Sequence, residues 1–75
     1  MQQVQLVTAL IRREGEMYVA LCPELDIASQ GDTVEHAREN LIEALELFYE
    51  TADPSEIAAL LHHETYISSI EIRLG

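Results

Sequence analysis

The residues with chemistry to offer in this 75-residue chain are overwhelmingly carboxylates. Glu39, Glu43, Glu46 and Glu50 recur at spacings of four, three and four. On a helix that spacing stacks them on one face, with only Arg38 nearby as a cation. Such a ridge can dock the basic side chains of a partner. Glu24 and Asp26 flank Leu25 a few residues after an apolar run, and Asp32 follows. Paired carboxylates can serve acid–base chemistry or hold a magnesium ion, but only with a cleft and a further ligand or base. The remaining candidates are poorer. His62, His63 and Glu64 lack the C-x2-C or H-x3-H spacing of zinc sites, and adjacent histidines point apart. A solvent-facing helix end suits them, since the helix dipole there favours cations. Ser29, Thr33, Ser68 and Ser69 have no neighbouring His or Lys to activate them. Gly31 stands alone, without the further glycines and basic residue of a phosphate-cradling loop. Tyr18, Tyr49 and Tyr66 are too sparse, and too little accompanied by Arg, to stack nucleic-acid bases. No catalytic residue, cofactor site or metal site is expected, and the chain reads as a non-enzyme.

Composition bounds the rest. Fourteen Asp and Glu against four Arg and no Lys give a formal net charge of −10. Covering a phosphate backbone takes cations, so direct DNA or RNA binding is not expected. The acidic balance suits solubility, or a basic partner. Cys22 is the single cysteine, so no internal disulfide can form, and a reducing cytoplasm is the expected compartment. Cys22 lies inside an apolar run and reads as a buried, inert thiol. No charged-then-apolar leader opens the chain, and no apolar run reaches the roughly 18 residues of a membrane helix. A chain of this length, read as one domain over residues 1–75, buries only about 60% of its unfolded surface. Self-association is common at this size.

The elements that position these residues follow from pattern. Val4 to Arg12 is apolar on both alternating faces and reads as a strand buried on both sides. Arg13-Glu14-Gly15-Glu16 is a hairpin break. Met17 to Cys22 returns antiparallel and is ended by Pro23, which lacks a backbone donor. Ile27 to Gln30 resumes an extended run. Gly31-Asp32-Thr33 then leads into a helix, with Asp32 or Thr33 as its cap. Val34, Ala37, Leu41, Ala44, Leu45 and Phe48 form the apolar stripe of a helix over residues 34–51. Asp53, Pro54 and Glu56 start a second, short helix that runs out near His63. Tyr66, Ser68, Ile70, Ile72 and Leu74 alternate with Ile67, Ser69, Glu71 and Arg73, the pattern of a half-buried strand. The order β-β-β-α-(α)-β predicts an α+β domain, its small sheet covered on one face by a helix. One helix layer covers only one face of strands apolar on both, so a second copy is expected to cover the other.

Three pieces of this order resemble the HicB-like family: P-E-L at Pro23 to Leu25, S-Q-G-D-T at Ser29 to Thr33, and A-x-x-N-L-x-E-A-L at Ala37 to Leu45. They span about residues 17–48, and the flanking strands fit. The resemblance implies a partial RNase H-like fold. It also implies an antitoxin that forms dimers or higher oligomers and sequesters HicA, a small basic RNA-cleaving toxin, by protein–protein contact. Full members carry a C-terminal DNA-binding segment, whereas this sequence stops after its last predicted strand. It therefore resembles the short stand-alone members, and operator binding is not carried over. His36 stands where members usually place Glu. The residues expected to meet a partner are Glu24, Asp26, Glu39, Glu43, Glu46 and Glu50. The alternative is a self-associating structural or regulatory domain with no toxin partner. A weaker third reading is a metal-dependent nuclease on Glu24, Asp26 and Asp32.

Overall fold

The structure is a computed structural model that describes residues 4–61 and 64–75. Three strands form one antiparallel sheet in the order β1-β2-β3, with β1 at Leu10–Glu14, β2 at Met17–Cys22 and β3 at Ile27–Gly31. The β1–β2 hairpin pairs Leu10 with Leu21 and Glu14 with Met17. Gly15 takes the positive φ of 63° that its turn requires. Between β2 and β3 register, Cys22 faces Ile27 and Tyr18 faces Gly31. Helix α1, Val34–Thr51, crosses one face of the sheet, and α2, Pro54–Leu61, follows after a short break. The predicted α+β class, the three antiparallel strands and the two following helices are all present.

The core lies between α1 and one sheet face. Ala20 and Cys22 from β2, Leu25 from the turn, and Ala37 and Leu41 from α1 are buried. Ile11, Tyr18, Ile27, Leu45, Phe48 and Tyr49 pack around them. Small residues face each other where helix and sheet come closest. Gly31 shows why: a Cβ there would sit 2.5 Å from the Ala37 backbone nitrogen. The glycine is needed for that close approach, and its turn-like composition is incidental. Asn40 fastens the same contact by donating its side-chain amide to the Gln30 carbonyl at 2.7 Å.

Both helix starts are capped. Thr33 adopts extended backbone and its hydroxyl accepts the His36 amide at 3.0 Å, so Thr33 is the cap and Asp32 is not. Asp53 caps α2, its side chain accepting from the Ser55 amide and hydroxyl and its carbonyl from Glu56 and Ile57.

Two predicted strands come out differently. The first begins at Leu10 and not at Val4, leaving residues 4–9 outside the ladder. The ladder runs out because Leu10 already faces Leu21, and one step beyond Cys22 stands Pro23, which cannot donate. The last predicted strand, Tyr66 to Leu74, forms no ladder, and residues 64–75 are exposed throughout. Alternation makes a segment fit for a sheet, but pairing needs an edge within reach. The solvent-facing helix end expected for His62 and His63 lies outside the described residues.

Candidate functional site

The glutamate ridge stands as its spacing requires. Glu39, Glu43, Glu46 and Glu50 project from α1 into solvent, on a helix with no basic residue in its last turn. Among the described residues, the ion pairs are Arg12–Glu14 at 2.6 Å and His36–Asp32 at 2.6 Å, and neither involves the ridge. The ridge does not stop at charge. Glu46 and Glu50 border a groove of about 820 Å³ whose apolar walls include Val7, Ile42, Leu45, Tyr49 and Ile57. The result is an acidic rim beside an apolar trough, a surface suited to a basic, partly apolar partner.

The turn carboxylates have a different setting. Glu24 is half-buried and binds the segment ahead of β1: one oxygen accepts the Thr8 amide at 3.1 Å and the other the Thr8 hydroxyl at 2.7 Å. The Cys22 thiol donates to the same carboxylate at 3.7 Å. Burial opposes the charge on Glu24, but the Thr8 hydroxyl and amide outweigh it, holding the carboxyl below its ordinary value. Burial pushes the Cys22 thiol up, and the Glu24 charge adds to it, so the sulfur stays protonated. Tyr49 completes the cluster, its hydroxyl buried without a partner among the described residues and its pKa raised by burial and by the neighbouring Cys22 and Glu24. Asp26 is exposed, with a left-handed φ of 54° that Asp tolerates better than most residues.

Asp32 stands at the far end of β3, where its carboxylate meets the His36 ring. With about 3.3 Å per residue along a strand, Asp26 and Asp32 lie roughly 20 Å apart. Among the described residues, no three His, Cys, Asp or Glu side chains gather as metal ligands. Glu24, Asp26 and Asp32 thus make no common site.

The sequence reading missed Thr8 and Tyr49. Thr8 lies in a run that reads as plain strand, and its partner is sixteen residues away. Tyr49 had a signal, the i, i+4, i+8 spacing from Leu41 and Leu45, which extends the buried stripe by one position.

The chain is 35% identical over 68 residues to a UPF0150 protein from Helicobacter pylori strain J99, an alignment covering 89% of this chain and 94% of that relative. The chain belongs to the UPF0150 family. No protein-family model and no solved structure matches it. Among the described residues, no helix is long and apolar enough to cross a membrane.

Proposed function

We propose that this UPF0150 chain is a HicB-like antitoxin-type binding module that sequesters a small basic, HicA-like RNA-cleaving toxin by protein–protein contact. One observation carries the reading: four exposed glutamates line one face of α1 without an ion partner among the described residues, in a chain of net charge −10. The P-E-L, S-Q-G-D-T and A-x-x-N-L-x-E-A-L motifs support it. They carry structural duties here: Leu25 is buried, Thr33 caps α1, and Asn40 ties α1 to β3. The ridge steers a basic partner into contact, and the apolar groove beside it supplies burial once contact is made. The work is done in the cytoplasm, with no cofactor and no catalysis by this chain.

A second reading rests on the other sheet face. Leu10, Val19, Leu21 and Ala28 leave an open concavity of about 480 Å³ there, with Met17 exposed nearby. That face favours self-association, as in a structural or regulatory domain with no toxin. One experiment separates the readings. The tagged chain, recovered from its native cytoplasm, should bring down a small basic protein in near-equal amount and inhibit that protein's RNA cleavage. Glu39→Lys with Glu43→Lys should slow their association about tenfold at low salt and flatten its salt dependence. Recovery of its own copies alone would favour the second reading, and unchanged kinetics would remove the ridge from the account.

A further inference from the structure

Residues 4–9 lie outside the sheet ladder, yet they build part of the groove beside the glutamate ridge. Gln5 and Val7 line it from the strand side, while Ile42, Leu45, Tyr49 and Ile57 line it from the helix side. Val7 packs against the core, whereas its neighbours Val4 and Leu6 are 86% and 87% exposed. One wall of the groove therefore hangs on a segment with little burial of its own.

A single side chain grips that segment. The Glu24 carboxylate accepts the Thr8 amide with one oxygen and the Thr8 hydroxyl with the other, at 3.1 and 2.7 Å. Glu24 is in turn held by the body of the fold. It stands between β2 and buried Leu25, and the Cys22 thiol donates to it. Hydrogen bonds to a charged acceptor are stronger than neutral ones, so two of them make a firm grip. Regions with few buried contacts open ahead of the rest of a fold, and here the grip stands where burial is thin.

We infer that residues 4–9 are a strap latched by Glu24, and that the closed latch seats Val7 and so completes the groove. Opening releases the strap while the sheet and α1 stay folded. The consequence for binding rests on the reading of this groove as the place where the basic partner is buried. On that reading Glu24 and Thr8 are positioning residues, acting on the partner through the groove wall without touching it. Their part differs from that of the ridge. Exposed glutamates govern the encounter, which salt screens, whereas a seated wall governs how long the partner stays.

The strap is tested on the full-length protein without any partner, by amide hydrogen exchange and nuclear Overhauser contacts. Thr8→Val keeps the shape and the amide but loses the hydroxyl; Glu24→Ala loses both bonds. In Thr8→Val the amide at position 8 should exchange roughly tenfold faster, and in Glu24→Ala faster still. Contacts of the Val7 methyls with the core should fade in both, while the β2 amides and the helical circular dichroism keep their wild-type values. Thr8→Ser restores the hydroxyl and should restore the protection. Unchanged exchange and Val7 contacts in both variants would overturn the latch, leaving the strap to packing alone. An equal rise at the β2 amides would overturn it too, because the strap would then open only with the whole fold. Binding is then measured with the small basic protein recovered with the tagged chain. Thr8→Val should speed its dissociation several-fold, with the association rate and its salt dependence unchanged. A slower, less salt-sensitive association would instead put Glu24 in direct contact with the partner and overturn its positioning role. Recovery of no such protein would overturn the partner reading and this extension of it, while the exchange data still decide the latch.

Discussion

Residues 10–51 and residues 64–75 carry equally regular apolar patterns and have opposite fates. In the first region the inward stripes meet each other: β2 lies between β1 and β3, and α1 covers one face of the three, the other staying open. In the second, four large side chains on one face meet solvent. Periodicity states which face of a segment needs covering; it does not state what covers it. The body of the protein closes on itself because hairpin turns hold β1, β2 and β3 adjacent, whereas the last segment is separated from the sheet by two helices.

The sharpest way to break this comparison is to change one side chain in each region. Gly31→Ala forces a Cβ against the Ala37 backbone and should cost about 3 kcal/mol, at the upper end of overpacking. Ile72→Ser should stay within about 0.5 kcal/mol of wild type, because that side chain is 69% exposed and has little packing to lose. Chemical denaturation measures both, and equal losses would erase the distinction between the regions.

A smaller effect is expected where the body holds the residues ahead of β1. Glu24 holds residues ahead of β1 through Thr8, so Glu24→Gln should cost roughly 1 kcal/mol at neutral pH. Since the folded protein holds Glu24 below its ordinary value of 4.5, its contribution is full above that pH and fades as pH falls through the lower folded value. Wild type and variant should therefore converge in acid. A gap that persists or widens at low pH would show that the carboxylate charge is not what holds Thr8.

The smallest effect belongs to the exposed His36–Asp32 pair at the start of α1. The hydrogen bond to Asp32 and the Asp32 charge raise the histidine above its ordinary 6.5, and the same bond lowers Asp32. The pair stabilises the fold between the two titrations. Its histidine part is fully present below pH 6.5 and is lost as pH rises through the raised value. The melting temperature of His36→Gln should accordingly fall slightly below wild type near pH 6 and match it near pH 8. A difference independent of pH would assign the effect to the neutral side chain and not to the imidazolium charge.

Much of the fold was legible because it is local. The 3.6-residue stripe of α1, the Asp53-Pro54 start of α2 and the Pro23 stop of β2 each act within a few residues of where they are read. The ridge was legible for the same reason, since helical spacing alone puts Glu39, Glu43, Glu46 and Glu50 on one face. The candidate site as a whole was only half legible. That Glu46 and Glu50 border an apolar groove depends on where α2 folds back, and that Glu24 serves Thr8 depends on a contact sixteen residues apart. By itself, then, the amino-acid order determined the acidic character, the helical faces, the turns and the strand-forming segments, all set by composition and short-range periodicity. Only the tertiary structure decided that Gly31 is an approach point, that Glu24 is a clasp and that Tyr66–Leu74 finds no edge in its own chain. Each of these is a matter of distance between residues far apart in sequence, and periodicity carries no information about such distances.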